Sequence, residues 1–341
     1  MNTPNTISPA NGKHTTGRFH NRLLHLDPNL RSLAAADANE RIRMVQKDLF
    51  IEHDVSRYLN DQLDALMCEP RHTRMPCLLI TGDAGIGKTA QLHRFQRRYP
   101  DAPGEDGSRT RPIVIANMPP EPTRVTLELA LLEALNAPGL SRGQSVDRAG
   151  VIRRMLVAHR TRCLVVDEMQ HLCHSRARER AVVLDALKAL STTCQINIIG
   201  AGTPTVEREF RADPQLERRF SITQLVQWDS GVSFQRFLQT YERARPLHQA
   251  SGLAEPTMIR AILKESGGTT HRIIQCLNAA TIVAIHEEIE RITPELIPVY
   301  RTQPRRVLTA KRATPITDDA SAGEAQRKGD GLATPSQEIG T

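Results

Sequence analysis

The hydrophobic positions between about residue 36 and residue 228 follow two patterns, short apolar runs and helical repeats. Four apolar runs predict buried strands, at residues 77–81 (CLLIT), 111–118 (RPIVIANM), 163–168 (CLVVDE) and 196–202 (INIIGAG). Between these runs, apolar residues are spaced by three and four, which predicts amphipathic helices. Strands that alternate with helices in this way predict an α/β fold, with a mostly parallel sheet covered on both faces.

The predicted helices of this part of the chain are residues 36–67, 90–98, 122–135 (with Thr123 as N-cap), 151–160 and 181–190. Beyond Trp228 the pattern is entirely helical, which predicts a small helical bundle. Both ends of the chain are polar and without periodicity, so we expect them to lack a fixed fold. The sequence therefore predicts an N-terminal arm (1–34), an α/β domain with a helical lead-in (35–228), a helical domain (229–300) and a disordered tail (301–341).

The composition of the 341 residues, with 39% hydrophobic and 24% charged, is typical of a soluble globular protein. No apolar run is long enough to span a bilayer, and the N-terminus lacks the apolar core of a secretory signal. Six scattered cysteines without a C-x-x-C pair indicate reduced thiols, so we expect a cytoplasmic protein. A formal net charge of +7 mildly favours a polyanionic partner.

A glycine-rich loop, GDAGIGKT at residues 82–89, follows the first predicted strand and precedes a predicted helix. It matches G-x-x-x-x-G-K-[ST] at every fixed position, and its backbone N–H groups are expected to cradle phosphate oxygens. In this motif Lys88 reaches the β/γ-phosphates and the Thr89 hydroxyl binds Mg²⁺. The expected nucleotide contacts are Gly82, Asp83, Ala84, Gly85, Ile86, Gly87, Lys88 and Thr89.

Two carboxylates end the strand at residues 163–168. Asp167 is expected to lie near the Mg²⁺ ion held by Thr89. Glu168, the next residue, is suited to orient and deprotonate an attacking water. A water-activating base favours hydrolysis of the nucleotide over transfer of its phosphate to a substrate.

The strand at residues 196–202 should end beside the phosphate site. Thr203 is the polar side chain best placed there to sense the γ-phosphate, and Asn197 is the alternative. Near the end of the α/β domain, PQLERRF at residues 214–220 offers an arginine that could act on the nucleotide of a neighbouring subunit. Arg219 is the first candidate and Arg218 the second.

The helical domain contains GGTTHR at residues 267–272, which places His271 and Arg272 at a helix start. A basic residue there could reach the γ-phosphate and report its loss to the helical domain, and we favour Arg272.

Together these motifs resemble the AAA+ ATPases. More narrowly, the chain resembles the TniB family of transposition ATPases, related to TnsC and more distantly to IstB. The stretches that carry this resemblance are residues 40–67, the segment RMPCLLITGDAGIGKTAQLHRF, and later VDEMQHL and IIGAGTP. The resemblance covers about residues 35–300.

The resemblance implies an αβα sheet with a helical lid, and ATP binding and hydrolysis with Mg²⁺. It also implies double-stranded DNA as the platform, homo-oligomers in the form of rings or filaments, and a transposase and a target-selection protein as partners. Lys88, Thr89, Asp167 and Glu168 match the two nucleotide motifs of the family, whereas Arg219 and Arg272 are placed only to within one residue.

Several basic groups are candidates for DNA contacts that do not depend on sequence: Thr123 with Arg124 at a helix start, Arg153 with Arg154, Arg305 with Arg306, and Lys311 with Arg312. Two other functions are considered. A helicase loader would act on a partner ATPase and single-stranded DNA, and a P-loop kinase would phosphorylate a small acceptor. The water-activating Glu168 and the long helical domain disfavour the kinase.

Overall fold

The computed structural model describes residues 23–104, 109–137, 147–212, 214–304 and 307. Its central sheet has five parallel strands in the order β4-β5-β6-β1-β7. These strands are β1 (Cys77–Thr81), β4 (Ile113–Asn117), β5 (Cys163–Asp167), β6 (Asn197–Gly202) and β7 (Phe220–Gln224), and a short antiparallel pair is formed by β2 (Ala102–Pro103) and β3 (Arg109–Thr110). The α/β fold and the parallel sheet are confirmed.

The four strands expected from apolar runs are present, and the fifth, β7, was not predicted. Its sequence FSITQ alternates apolar and polar residues over only its first four positions, too few for a distinct pattern. The strand lies at the edge of the sheet and pairs only with β1 among the described strands.

The helices that flank the sheet are α3 (Asp54–Cys68), α4 (Lys88–Arg98), α5 (Arg124–Ala134), α6 (Arg148–Ala158), α7 (Ala177–Cys194), α8 (Pro204–Ala212) and the short α9 (Pro214–Glu217). Those at the N-terminus and in the helical domain are α1 (Arg31–Ala34), α2 (Ala38–Gln46), α10 (Val232–Arg243), α11 (Pro256–Ser266), α12 (Thr270–His286) and α13 (Val299–Thr302). Three 3-10 helices span Pro28–Leu30, Met169–His174 and Pro294–Leu296. The predicted N-cap of α5 is confirmed, because Thr123 Oγ1 accepts a hydrogen bond from the Thr126 N–H at 3.2 Å.

Side chains of the sheet alternate between two apolar cores, as the pleat requires. On β1, Leu78 and Ile80 pack with α3 and α4, whereas Leu79 packs on the opposite face with α5, α6 and α7. Burial on both faces explains why these strands are short continuous apolar runs rather than alternating ones.

A third apolar core lies in the helical domain, which is called the lid below. Helix α2 contributes Ile42 and Val45 to this core, although the sequence groups it with the α/β domain. A buried ion pair joins the same two parts, with Arg41 Nη2 2.7 Å from Glu290 Oε2. The N-terminal helix is therefore packed in the lid core.

The arm expected to lack a fixed fold is ordered from Leu23 onward. Leu23, Leu26 and Ala34 form a small buried cluster. The Asp27 N–H donates to the Arg243 carbonyl at 2.9 Å, which joins the arm to the end of α10. The expectation for residues 1–34 was wrong for this part. Three apolar residues are too few to form a recognisable pattern in the sequence, but in the structure they are buried together. Residues 1–22 lie outside the described part.

Candidate nucleotide-binding site

The phosphate-binding loop joins β1 to α4 and is shaped by its glycines. Gly85 and Gly87 have φ angles of 76° and 110°, in the left-handed region that favours glycine. At Gly82 the constraint is space, because a Cβ atom would lie 2.6 Å from the Leu225 carbonyl oxygen. Asp83 and Ala84 are exposed at the top of the loop, and Ile86 is buried beneath it. This backbone fits a phosphate cradle at the N-terminus of α4.

Lys88 is the first residue of α4, and its side chain turns back toward the loop. Its Nζ donates to the carbonyl oxygens of Gly82 at 2.7 Å and Asp83 at 3.0 Å. Burial lowers the pKa of Lys88, and the nearby carboxylates of Asp167, Glu168 and Asp83 act in the opposite direction. The ammonium group is therefore held beside the positions that phosphate oxygens would take.

The pair expected to hold Mg²⁺ is in contact. Thr89 Oγ1 donates to Asp167 Oδ2 at 2.7 Å, and Asp167 is 3% exposed. Its other oxygen, Oδ1, accepts from the Glu168 N–H at 2.8 Å. A hydroxyl and a carboxylate oxygen at the edge of the phosphate loop fit the hard oxygen ligands that Mg²⁺ requires.

Glu168 directly follows β5 and adopts a left-handed backbone, with φ of 59°. Its Oε2 accepts a hydrogen bond from Gln170 Nε2. Gln170 also packs against the end of β6, where a Cβ at Gly202 would lie 3.2 Å from the Gln170 Oε1 atom. The Glu168 carboxylate is thus oriented by a side chain that contacts the neighbouring strand.

The structure separates the two candidates on β6. Thr203 directly follows Gly202, whose carbonyl accepts from the Gly82 N–H at 3.2 Å, so Thr203 lies next to the phosphate loop. Asn197 begins β6 at the opposite end, is fully buried, and donates to the Leu66 carbonyl at 2.7 Å. Asn197 is therefore far from the site.

Arg219 lies away from the phosphate loop of its own subunit. Its carbonyl accepts from the Cys77 N–H, at the start of β1, whereas the loop follows the end of that strand. The Arg219 side chain donates to Ser191 Oγ at 2.8 Å. Arg218 is exposed. Arg219 therefore lies at the opposite end of β1 from the phosphate loop of its own chain.

The first turn of α12 touches the phosphate loop. The His271 N–H donates to the Gly85 carbonyl at 2.9 Å, and Arg272 is the exposed next residue. The segment that connects the sheet to the lid also contacts this first turn, because Trp228 Nε1 donates to Thr270 Oγ1 at 2.9 Å. The lid is therefore in direct contact with the loop that would hold the phosphates.

A cavity of about 640 Å³ opens beside the phosphate loop. Its other walls are α4, residues 225–229, residues 46–55 and the His271 side of α12. Residues 46–55 and the His53–Trp228 ring contact, at 4.6 Å between centroids, were not predicted as part of the site. Burial lowers the pKa of His53. No pattern in the sequence reveals this wall, because the segment between α2 and α3 is irregular.

Structures similar to this chain include three archaeal proteins. The Aeropyrum pernix ORC2 protein in its ADP form is 17% identical with a TM-score of 0.50, and the match covers 78% of this chain and 72% of that one. The A. pernix ORC1 protein in complex with DNA is 18% identical with a TM-score of 0.51, and the match covers 76% of this chain and 68% of that one. Cdc6p from Pyrobaculum aerophilum is 18% identical with a TM-score of 0.50, and the match covers 74% of this chain and 68% of that one. At these identities the likeness shows the fold alone, a parallel α/β sheet with a helical domain.

No curated protein sequence matches the chain. Among the described residues, every helix is too short or too polar to cross a membrane. The family model described as "Bacterial TniB protein" matches residues 41–230, more than half of the chain. This match covers most of α2, the phosphate loop and the whole parallel sheet, and the chain therefore belongs to the TniB family.

Proposed function

We propose that this AAA+ ATPase of the TniB family regulates DNA transposition. In its ATP state it assembles on double-stranded DNA as a ring or filament and recruits or activates a transposase, together with a target-selection protein. Hydrolysis then releases it. The observation that carries the proposal is the hydrogen bond from His271 to Gly85, which joins the lid to the phosphate loop.

In this proposal, few residues carry out ATP binding and hydrolysis. The loop N–H groups and Lys88 bind the phosphates, and Thr89 and Asp167 would hold Mg²⁺, which neutralises charge on the β/γ-phosphates. Glu168 takes a proton from the attacking water. Thr203 contacts the γ-phosphate from the end of β6.

The switch follows from the position of the lid. A γ-phosphate in the loop lies close to the first turn of α12, where Arg272 can pair with it. Loss of that phosphate removes the pairing and changes the balance between lid positions. ATP and ADP states then differ in their affinity for neighbouring subunits and DNA.

The case for DNA rests on the TniB family, on the net charge of +7, and on the likeness to the ORC1 protein solved with DNA. Among the candidate contacts, Arg153 and Arg154 are exposed on α6, and Arg124 pairs with Glu128 at 3.0 Å while its side chain is 60% exposed. Residues 305, 306, 311 and 312 lie outside the described part. Such contacts would give affinity without sequence preference. We place the protein in the bacterial cytosol, where this DNA is found.

Electron microscopy with linear duplex DNA, with and without a non-hydrolysable ATP analogue, tests the proposal. We expect regular rings or filaments on the DNA only with the nucleotide. The Lys88→Ala variant should show none, because it loses the charge that holds the phosphates. Bare duplex in every condition, with ATP-dependent retention on single-stranded DNA and a helicase, would instead indicate a helicase loader.

A further inference from the structure

One face of α12 lines the cavity along about two turns. His271, Ile274 and Asn278 are spaced by three and four residues, so they lie on the same side of the helix, and all three are cavity residues. His271 marks the phosphate end, through its backbone bond to Gly85. Asn278 lies seven residues further on, about 10 Å along the helix axis. A nucleotide with its phosphates in the loop would extend its nucleoside in this direction.

The amide of Asn278 has a fixed orientation. Its Oδ1 accepts two hydrogen bonds at 2.7 Å, from Tyr241 OH and from Arg245 Nη2. Arginine can only donate, so the atom that faces it must be the carbonyl oxygen. The Nδ2 group of Asn278 is left with no partner among the described residues, on a side chain that lines the cavity.

The two residues behind Asn278 hold it firmly. Tyr241 is fully buried and Arg245 is 1% exposed, with its guanidinium carbon 4.8 Å from the Tyr241 ring centroid. No carboxylate among the described residues pairs with Arg245, and its Nη1 reaches only the Val45 carbonyl, at 3.4 Å, and the sulfur of Met44. A buried cation needs good acceptors, so rotation of the Asn278 amide would be costly.

Apolar side chains form part of the cavity wall, among polar ones such as Gln46, Lys47 and Ser233. Leu49, Ile51, Val226, Phe237 and Ile274 line it, beside the ring of Trp228. A cleft that combines apolar side chains with an oriented N–H donor is typical of a site that binds a flat ring and recognises one of its edges.

We propose that Asn278 donates a hydrogen bond from Nδ2 to an acceptor on the bound nucleoside, either a ring nitrogen of the purine or an oxygen of the ribose. It is a specificity-determining residue at the end of the site opposite to the phosphates. This assignment rests on the proposed function, in which the cavity takes ATP.

The test is the Asn278→Asp substitution, with binding of ATP measured by calorimetry in the presence of Mg²⁺. Aspartate keeps the oxygen that accepts from Tyr241 and Arg245, so the fold should be retained, but it has no N–H to donate. We expect ATP to bind about tenfold more weakly, whereas the affinity for inorganic triphosphate stays the same. The matched control is Thr281→Val, at a buried residue whose Oγ1 lies 3.5 Å from the Tyr241 hydroxyl, and this change should leave ATP affinity unchanged.

Analogues separate the two acceptors. If a ring nitrogen accepts, 7-deaza-ATP or 3-deaza-ATP should bind the unaltered protein about as weakly as Asn278→Asp binds ATP; if the ribose accepts, 2′-deoxy-ATP should do so. The analogue that lacks the accepting atom should bind Asn278→Asp with the same affinity as it binds the unaltered protein.

Two results would overturn the assignment. One is wild-type affinity of Asn278→Asp for ATP, with an unchanged unfolding midpoint. The other is an equal loss of ATP and inorganic triphosphate, since that would indicate damage to the whole site. Failure of the unaltered protein to bind either ligand would instead reject the proposed function, and the Asn278 assignment with it.

Discussion

At the scale of single residues, the site depends on backbone conformation as much as on side chains. Glu168, directly after β5, has a left-handed backbone conformation, and its carboxylate and that of Asp167 have different surroundings. Asp167 is buried against Thr89, whereas Glu168 is partly exposed and bonded to Gln170. The two neighbouring carboxylates therefore have the separate surroundings that the proposed roles require, one at the metal and one at the water.

Glu168→Gln should bind ATP normally but hydrolyse it about 10²- to 10⁴-fold more slowly, because an amide cannot accept the proton of the attacking water. Its oxygen can still accept from Gln170, so the local structure should be kept. Phosphate release measured with saturating ATP checks this, and the complex with DNA should last longer.

The exposed Glu179→Gln on α7 is the matched control, and it should hydrolyse ATP at the normal rate. Rapid turnover by Glu168→Gln would remove Glu168 from its proposed role.

At the scale of elements, the buried pair of Arg41 and Glu290 joins α2 to the lid. Their side chains are 4% and 13% exposed, and His248 also contacts Glu290, with Nδ1 3.3 Å from Oε2. Removal of one partner leaves the other charge buried without full compensation. The position of α2 therefore depends on this pair.

Arg41→Met should lower the free energy of unfolding by about 3–5 kcal/mol. The matched control is Arg301→Met, which removes a pair with Glu265 whose arginine is 75% exposed and should cost less than about 1 kcal/mol. Urea denaturation of both variants checks the difference. Equal losses would show that the buried pair does not hold α2 to the lid.

The sequence predicts the elements that have a strong local pattern and misses those that depend on distant contacts. CLLIT and CLVVDE are buried on both faces and were found as apolar runs, and the phosphate loop was found from its glycines. The strand FSITQ, the ordered arm from Leu23 and the cavity wall at residues 46–55 have no such pattern. Their positions are fixed by the sheet edge, by α10 and by the lid core.

At the scale of the whole molecule, the proposed role of Arg219 in catalysis requires a second subunit. Arg219 lies beside the first residue of β1, whereas the phosphate loop follows the last residue of that strand. Its hydrogen bond to Ser191 would have to be exchanged on assembly. Assembly and hydrolysis would then be linked through one side chain.

Arg219→Ala should lose about 10³-fold or more of the hydrolysis that appears at high protein concentration, and should keep the slow rate of the dilute protein. Hydrolysis measured over a range of protein concentrations checks this, with Arg218→Ala as the matched variant. If only Arg218→Ala loses this hydrolysis, the role belongs to Arg218, which is exposed. If neither variant loses it, neither arginine acts on the nucleotide of a neighbouring subunit.

The lid is connected to the sheet at two places. Residues 225–231 lead from β7 to α10, and residues 47–53 lead from α2, in the lid core, to α3, whose Leu59 and Leu63 pack against the sheet. A domain held by one flexible connection can rotate in any direction. Two connections favour rotation about the line that joins them. The two connections touch each other beside the cavity, where the His53 ring contacts the Trp228 ring. Every subunit that loses its γ-phosphate would therefore open in the same direction, and a ring or filament could add these identical steps into one coordinated movement.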